Sequence, residues 1–428
     1  MTPLIRDYVK LAEGNESPEI FYLWALLSMA GQITARNTYL PFGRFKLYGN
    51  LYIMLIGNSG VRKSFAIKES KQFLEDINTN IVCMADKVSA IQTLMYSLAK
   101  QKGTSNNKEL ELEDYFDCKL AEDGTIIGGL PANGYIASDE IADFFGGEIV
   151  DYIKLLGVLW DIDRDYTYST RHDGDVVLTN PHIGVLGGIT PGMFNTIFPT
   201  DIAEQGFLSR LLLVTSDRPA KRFSIPQGAS TVTASRIQES LAQLQTLRGA
   251  IVISEEVYKI QDEIYKGWHM QMPLRLQAYP NRRHTQLLKI LMAVTATRMS
   301  IKPSRDDIIL ANTILTYTEL NMTNAFGEYG KNKTSGTQDA IIQLLRSSKV
   351  PLSQKVIFTH VKSDASLQDV IQILRNLESI GLITSEPGKG FMSVATSELT
   401  KAYSKLHVDW DMMEDISPEI TATMKTFK

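Results

Sequence analysis

The most constraining feature of this sequence is an apolar run, a turn and a Lys-Ser pair within residues 51–64. The run breaks at Gly57, and Lys63 and Ser64 follow six and seven residues later. A buried strand, a tight turn and a helix that opens with Lys and Ser form the layout of a phosphate-binding loop. In such a loop, backbone N–H groups hold phosphates, the Lys reaches the β- and γ-phosphates, and the Ser hydroxyl holds Mg²⁺. The sequence therefore predicts ATP and Mg²⁺ as ligands, bound by Gly57, Gly60, Lys63 and Ser64.

The loop departs from this pattern at Arg62. The pattern G-x-x-x-x-G-K-[ST] has a glycine directly before the lysine. A non-glycine residue held in the left-handed conformation costs roughly 1–2 kcal/mol, and Gly60 is available to supply flexibility instead. The alternative is an ordinary strand–turn–helix that carries a lysine by chance. The apolar strand before the loop and the helical pattern behind it favour the phosphate loop.

A second motif ends a short apolar strand with the acidic pair Asp139-Glu140. In nucleotide hydrolases, such a strand places one carboxylate on Mg²⁺, usually through water. The next carboxylate orients and deprotonates the attacking water. We predict that Asp139 binds the metal and that Glu140 is catalytic. A solvated acidic pair at a strand end is the alternative, and the order of the two motifs along the chain favours the catalytic interpretation.

Composition narrows the class of protein. The 428 residues predict two or three domains, and 44% hydrophobic and 21% charged residues are typical of a soluble globular chain. There is neither a run of 18 apolar residues nor a basic-then-apolar N-terminus, so we expect no membrane span and no secretory signal. Cys83 and Cys118 form no CxxC pair, which argues against a zinc site or a disulfide framework and fits a reducing cytoplasm. The net charge of −4 excludes a generally basic nucleic-acid coat, so DNA binding must depend on local patches.

The pattern of apolar residues divides the chain into five parts. We predict a helical segment packing on the core at 1–48, an α/β core at 49–248 with a surface insertion at 101–133, a helical lid at 249–330, a winged helix at 337–400 and a tail at 401–428. Ser17 and Pro18 predict a helix start, with Ser17 as its cap. The clearest amphipathic helix is expected at 286–299, and the tail is expected to pack loosely.

Residues 337–400 carry the pattern of three helices and a hairpin. Helices are expected at 338–346, 353–361 and 366–380. A hairpin follows them, and this order predicts a winged helix. In DNA binding, Arg375 of its third helix would be expected to reach a groove, and Lys389 at its wing tip would be expected to reach phosphates. Docking of another protein is the alternative use of this unit.

A β-hairpin is predicted at residues 166–179, where Asp-Gly separates two β-rich runs. Its turn carries Arg171 and His172, and its first strand carries Tyr166 and Tyr168. These side chains are candidates to contact a phosphate backbone and to stack on the bases of single-stranded DNA. An edge hairpin with a polar tip is the alternative, and the sequence favours neither interpretation.

The order of these parts resembles the core of AAA+ ATPases across roughly residues 18–400. Residues 206–214 look like the Leu-Ser-Arg-Phe-Asp segment of minichromosome-maintenance (MCM) helicases, and residues 282–296 are similar to their second sensor helix. Residues 19–53 also resemble a family of phage and mobile-element replication ATPases, whose phosphate loops carry the same Arg-Lys-Ser ending. The resemblance implies an α/β fold in which helices flank a parallel sheet. A RecA-like core is the alternative.

The resemblance also implies roles for four further residues. Arg210 would be an arginine finger that reaches the nucleotide of the neighbouring subunit, where such fingers contribute about 10³-fold or more. Thr190 would contact the γ-phosphate or the attacking water, and Arg282 or Arg283 would sense the γ-phosphate from the lid. Each residue could instead have a purely structural role. Thr190 could simply precede Pro191 at a strand end, and Arg210 could be a surface residue of a strand. Arg282 and Arg283 could be surface residues at the start of a helix.

Together these features predict an ATP-dependent replicative DNA helicase of a phage or mobile element. The protein would be a ring-shaped homo-oligomer, expected to be a hexamer, that translocates on single-stranded DNA with other replication proteins as partners. The first alternative is an ATP-switched initiator or helicase loader that binds origin duplex without processive unwinding. The second is a degenerate ATPase that serves only as an assembly scaffold, which the departure at Arg62 suggests.

Overall fold

Helices and strands alternate along the first 250 residues, and helices dominate the rest. A computed structural model describes residues 2–77, 79–84, 90–99, 119–120, 126–127, 131–170, 174–199, 206–216, 224–225, 231–268, 274–326, 337–338, 340–342, 344–345, 348, 350–362, 365–379, 383–386, 388, 390–393 and 406–425. The helices are α1 (Pro3–Val9), α2 (Glu19–Thr34), α3 (Lys63–Asp76), α4 (Ile91–Ala99), α5 (Ile141–Phe145), α6 (Ile149–Leu159), α7 (Pro191–Ile197), α8 (Thr231–Leu244), α9 (Glu255–Gly267), α10 (Pro280–Ala296), α11 (Arg305–Asn321), α12 (Gln354–Val361), α13 (Leu367–Ser379) and α14 (Pro418–Lys425). The strands are β1 (Thr38–Phe42), β2 (Phe45–Leu47), β3 (Tyr52–Ile56), β4 (Val82–Cys83), β5 (Lys119–Leu120), β6 (Ile126–Ile127), β7 (Asn133–Ser138), β8 (Tyr166–Thr170), β9 (Gly174–Leu178), β10 (His182–Ile189), β11 (Leu211–Thr215), β12 (Gly249–Ala250), β13 (Ile383–Glu386) and β14 (Gly390–Ser393).

A five-stranded, all-parallel sheet lies at the centre, in the order β11-β3-β10-β7-β4. Every residue of β3, β7, β10 and β11 is buried, as expected of a parallel sheet covered by helices on both faces. This confirms the predicted α/β class with a parallel sheet and flanking helices. Because parallel strands all end at one edge, the residues that follow β3, β7 and β10 meet at the carboxyl edge of the sheet.

Two hydrophobic clusters cover the two faces of the sheet, because successive residues of a strand point to opposite faces. On β3, Ile53 and Leu55 belong to one cluster, whereas Tyr52, Met54 and Ile56 belong to the other. The first cluster includes side chains of α2, α10 and α11, and the second includes side chains of α5, α6 and α7. The sheet therefore has a helical layer on each side.

The N-terminal region differs from its prediction in two respects. Residues 35–48 are not helical: β1 and β2 pair antiparallel there, and β12 joins β1 in parallel. The helix α2 starts at Glu19 without a side-chain cap, because Pro18 holds the cap position and Ser17 lies one residue too early. All of α2 after Glu19 is buried, since it packs between the sheet, α3 and α10.

The helix predicted as amphipathic at 286–299 has no exposed face over most of this range, so the prediction of an amphipathic helix is wrong. Within α10, residues from Gln286 to Ala296 are buried without exception. The reason is that α10 lies between α2 and α11, so it has no solvent face over this length. None of the described helices is long and apolar enough to cross a membrane.

The described residues of 337–393 have a hydrophobic cluster of their own. Residues 337–338, 340–342 and 344–345 are helical, α12 and α13 follow, and β13 pairs antiparallel with β14. Three helical segments and a hairpin are therefore present where they were predicted. Ser353 caps α12 by accepting a hydrogen bond from Val356 N. Lys389, at the predicted wing tip, lies outside the described residues.

The tail does not pack loosely over its described part, 406–425. Met413 and Ile416 are buried in the same cluster as α2 and α11. Asn312 of α11 donates to the backbone oxygen of Leu406 at 2.6 Å, and Asp409 N donates to the hydroxyl of Thr313 at 3.0 Å. The prediction is wrong here because the apolar side chains of the tail fill a surface that α11 provides. Most of the predicted insertion at 101–133 lies outside the described residues, apart from the pair β5–β6 and residues 131–133.

Candidate functional site

The loop from Gly57 to Arg62 connects β3 with α3 at the carboxyl edge of the sheet. Gly57 N donates to the backbone oxygen of Ile189 at 3.3 Å, and Ser216 N donates to that of Ile56 at 3.0 Å. A Cβ atom on Gly57 would lie 2.5 Å from the oxygen of Ser216, so only glycine fits where the loop begins. The loop therefore starts in the crevice formed by the ends of three adjacent strands, which is where open α/β sheets bind ligands.

Lys63 is the first residue of α3 and lies folded against this loop. Its Nζ donates to the backbone oxygens of Gly57 at 2.6 Å and Asn58 at 3.2 Å. Burial lowers the pKa of Lys63, and the nearby charge of Glu140 raises it. The ammonium group is thus held at the centre of the loop, in reach of an anion bound there.

Arg62 adopts the left-handed conformation that the glycine of the pattern would have, with φ 62° and ψ 30°. Its Nε donates to Oε2 of Glu16 at 3.0 Å. Arg62 is therefore left-handed without being glycine, and Gly60 has a positive φ of its own, +90°, two residues earlier.

The acidic pair follows β7 at the same edge. Asp139 forms an ion pair with Lys68 of α3, whose Nζ lies 3.0 Å from its Oδ2. Lys68 is exposed, and ion pairs at such positions contribute only about 0–1 kcal/mol, so a cation can displace it. Residues four apart share one face of a helix, so Ser64 lies on the face of α3 that carries Lys68 toward Asp139.

Glu140 has an unsatisfied oxygen at the site. Its Oε1 is buried and finds no hydrogen-bond partner within the described part of the chain. Burial raises the pKa of Glu140, the charge of Lys63 lowers it, and repulsion from Asp143 and Asp139 raises it further. A buried carboxylate oxygen without a partner fits a site built to bind a water molecule or a cation.

The composition of the site fits Mg²⁺ bound together with phosphate. Among the described residues, no group of three or more His, Cys, Asp or Glu is arranged to hold a metal by itself. Mg²⁺ is usually bound by one or two carboxylates and by substrate phosphates rather than by a protein cage. Ser64 and Asp139 are the residues available for that role.

Thr190 lies between the two motifs, because β10 lies between β3 and β7. Its hydroxyl caps α7 by accepting from Met193 N at 3.4 Å. A hydroxyl has one hydrogen to donate as well as lone pairs to accept with. Thr190 is thus the residue before Pro191 at a strand end, as the structural alternative stated, and its hydroxyl keeps a hydrogen that it can donate.

Two glycines that sequence reasoning gave no role bring the acidic pair close. A Cβ atom on Gly188 would lie 2.6 Å from the backbone oxygen of Asp139, and one on Gly187 would lie 2.9 Å from Cβ of Ile141, the residue after the pair. The segment that carries the acidic pair can lie this close to β10 only because these side chains are missing. Two adjacent glycines inside an apolar strand were the available signal.

Arg210 and Arg282 meet at the opposite, amino edge of the sheet. Arg210 directly precedes β11. Oδ2 of Asp161 lies 2.7 Å from a guanidinium nitrogen of Arg282 and 3.7 Å from one of Arg210. The guanidinium carbon of Arg282 lies 5.7 Å from the ring centroid of Trp160, and that of Arg210 lies 5.8 Å from it. Asn50, just ahead of β3, donates to the backbone oxygen of Trp160 at 3.3 Å, which fixes this cluster at the amino edge.

The length of β3 separates these arginines from the loop Gly57–Arg62 of their own chain. Five residues of strand correspond to roughly 16 Å. Arg210 therefore does not reach the loop that β3 carries. Arg282 lies beside it, so the structure does not bring this predicted sensor to the phosphate loop of the same chain.

Lys289 holds the segments around Trp160 together, and this role was not predicted from the sequence. Its Nζ is buried and donates to the backbone oxygens of Tyr48 at 2.9 Å and Trp160 at 3.2 Å and to Oδ1 of Asn50 at 2.6 Å. Burial lowers its pKa to about 7, and the charge of Asp161 opposes this shift. A lysine inside an apolar helical run was the only sequence signal for this role.

Arg283 is directed into the protein and not toward the loop. Its Nε donates to Oε1 of Glu319 at 2.9 Å, and its Nη2 donates to Oδ1 of Asn312 at 2.9 Å. Glu319 also accepts from the hydroxyl of Tyr279 at 2.8 Å. Both partners of the ion pair are buried, so Arg283 joins α10 to α11.

Replacing Arg283 with Met is expected to lower the free energy of unfolding by about 3–5 kcal/mol, because it leaves the buried carboxylate of Glu319 without its cation. Arg282→Met, one residue away, removes a partly exposed pair with Asp161 and a contact with the ring of Trp160, and should cost about 1 kcal/mol or less. Urea titration of both variants measures the difference. Equal losses would contradict the structural role of Arg283.

The predicted hairpin is present as β8 and β9, in the register Tyr166↔Leu178 and Tyr168↔Val176. Val176 and Leu178 are buried in the second cluster, and the two tyrosines pack partly buried against it. The tyrosines therefore lie on the inner face of the hairpin, which limits their access to DNA bases. Arg171 and His172, in the turn, lie outside the described residues.

No protein-family profile matches this chain, and no curated protein sequence matches it significantly. What this site does must therefore be argued from its geometry and from the patterns in the sequence.

Proposed function

We propose that this protein is an ATP-driven AAA+ motor that acts on DNA, specifically a ring-forming replicative helicase. The observation that carries the proposal is the convergence of Lys63, Glu140 and Thr190 at the carboxyl edge of one parallel sheet, with Arg210 at the opposite edge. The strand order is compatible with a phosphate-loop NTPase core, because a strand that ends in a candidate sensor separates the strand of the phosphate loop from the acidic strand.

In this proposal the carboxyl edge binds ATP and Mg²⁺. Lys63 and the N–H groups of the loop bind the β- and γ-phosphates. Ser64 and Asp139 would hold Mg²⁺, which neutralises negative charge on the phosphates when bound. Glu140 accepts the proton of the attacking water, and Thr190 donates a hydrogen bond to the γ-phosphate or to that water.

The amino edge would complete the site of the next subunit. Arg210 and Arg282 share one carboxylate and lie over one aromatic ring, so Asp161 and Trp160 hold two cations in a fixed arrangement. Arginines held in this way stabilise charge in a transition state without having to reorganise. A site that needs both edges needs neighbours on both sides, which supports a closed ring, with a hexamer as the expected size.

The exposed face of α13 supports the second candidate function, an ATP-switched initiator or helicase loader. Arg375 and three amides are exposed there, opposite the buried Val370, Ile373, Leu374 and Leu377; the amides are Gln368, Gln372 and Asn376. Such a face is suited to a DNA groove if residues 337–393 act as a winged helix. A scaffold without hydrolysis is the third candidate, and the unsatisfied Oε1 of Glu140 argues against it.

Replacing Arg375 with Glu is expected to weaken binding to duplex DNA about 5- to 10-fold, because it removes a phosphate contact and adds repulsion. Arg305→Glu is the control, since Arg305 is exposed at the start of α11 and the charge change is the same. Fluorescence anisotropy with labelled duplex at fixed salt measures both. Equal effects would make the unit a protein-docking module instead.

Unwinding of a tailed duplex tests the function itself. A helicase should separate the strands only in the presence of ATP and Mg²⁺, and the Lys63→Ala variant should not. ATP-dependent duplex binding without strand separation would favour the initiator or loader. Strand separation that is equal with and without ATP would contradict both.

A further inference from the structure

We infer that Glu16 is a positioning residue of the phosphate loop, which acts through Arg62. The turn formed by residues 15–18 would then be part of the nucleotide site, although it lies more than 40 residues ahead of the loop in sequence. The inference rests on the proposed function, because it concerns the affinity of the same site for ATP.

The need for such a residue comes from the backbone of Arg62. This residue is left-handed directly before the helix α3, and its side chain does not cap that helix. Side chains other than glycine rarely adopt this conformation without support from their surroundings. An interaction that holds the side chain of Arg62 therefore holds the last turn of the loop.

The ion pair with Glu16 supplies this support. Nε of Arg62 lies 3.0 Å from Oε2 of Glu16, and the Glu16 side chain is only 9% exposed, whereas that of Arg62 is 44% exposed. The guanidinium carbon also lies 5.9 Å from the ring centroid of Phe65, one turn into α3. A charged hydrogen bond to a buried acceptor is stronger than one in water, so it can offset a strained backbone.

Glu16 is itself fixed, so it can act as a support. Its backbone is also left-handed, with φ 65°. The side chain of Asn15 accepts from Ser17 N at 3.2 Å and donates to the hydroxyl of Tyr22 in α2. This turn is therefore attached to α2.

The helix α1, which precedes this turn, contacts both α2 and α3 through aromatic rings. The ring of Tyr8 lies 5.7 Å from that of Tyr22 and 5.7 Å from that of Phe73 in α3. The N-terminal segment thus contacts α3 in its last turn through Phe73 and contacts the loop through Arg62. Lys63 directly follows Arg62. Together these contacts keep Lys63 at the start of α3, where it can bind phosphate.

The experiment is a rescue. Glu16→Gln is expected to raise the Kd for ATP about tenfold, since the amide cannot hold the guanidinium as an ion pair. In Glu16→Gln combined with Arg62→Gly, glycine adopts the left-handed conformation unaided, and the Kd should return to within about threefold of the wild-type value. The Kd is measured by displacement of a fluorescent ATP analogue in the presence of Mg²⁺, and the melting temperature of each variant is recorded.

A general weakening of the fold would not be rescued by Arg62→Gly, so the double variant separates positioning from stability. An unchanged Kd in Glu16→Gln, or a loss that persists in the double variant, would overturn the inference while leaving the proposed function intact. Failure of the wild-type protein to bind ATP would overturn both.

Discussion

Replacing Glu140 with Gln is expected to reduce ATP hydrolysis by about 10²- to 10⁴-fold while ATP binding remains intact. The amide keeps the size of the side chain but cannot accept a proton from the attacking water. Lys63 continues to bind the phosphates, because its Nζ is held by the backbone oxygens of Gly57 and Asn58. Phosphate release and ATP titration on the same preparation measure the two effects. Loss of binding and hydrolysis to the same extent would contradict the role of Glu140.

The pH dependence of hydrolysis provides a matched control. Glu140 must be ionised to accept a proton, and burial raises its pKa. Activity should therefore begin to fall on acidification at a pH above the pKa of an ordinary glutamate. Asp143→Asn removes a nearby carboxylate that also raises this pKa. This variant should remain active and shift the acid limb to lower pH. An acid limb that does not move would show that a different group limits the rate.

Replacing Arg210 with Ala is expected to reduce hydrolysis by about 10³-fold or more in a homogeneous preparation. Activity should return in part when this variant is mixed with Lys63→Ala, which is itself inactive. In a mixed ring, a subunit with Lys63 intact can lie next to one with Arg210 intact, so some sites are complete. Steady-state rates across a series of mixing ratios measure the rescue.

A surface arginine serves as the control for this experiment. Arg236 is exposed and forms an ion pair with the partly buried Asp7, and Arg236→Ala should hydrolyse ATP at nearly the wild-type rate. Mixtures in which Arg210→Ala and Lys63→Ala remain inactive at every ratio would argue against sites shared between subunits. In that case the cluster around Asp161 would be structural.

Local patterns allowed the carboxyl edge to be predicted. The phosphate loop and the acidic pair each occupy a short stretch in which the strand, the turn and the polar residues are adjacent in sequence. The hairpin β8–β9 followed from its Asp-Gly turn for the same reason. The register of the parallel sheet then brings these stretches together, because the ends of adjacent parallel strands share one edge.

Contacts between distant segments could not be predicted from one sequence. Asp161, which lies against Arg210 and Arg282, is ordinary in its own context and acquires its role only through packing at the amino edge. The choice between Arg282 and Arg283 depends on how α10 is rotated between α2 and α11, which turns Arg283 inward to Glu319. The buried tail likewise depends on a surface of α11 that no local pattern reveals.

The measurement that tests the central claim most directly is the rate of ATP hydrolysis by the purified protein with and without single-stranded DNA, with Glu140→Gln as the blank. We expect Mg²⁺-dependent hydrolysis that rises severalfold on addition of single-stranded DNA, as for a motor that translocates along it. Hydrolysis no greater than that of Glu140→Gln, whether or not DNA is added, would contradict the assignment of the carboxyl edge as an ATPase site.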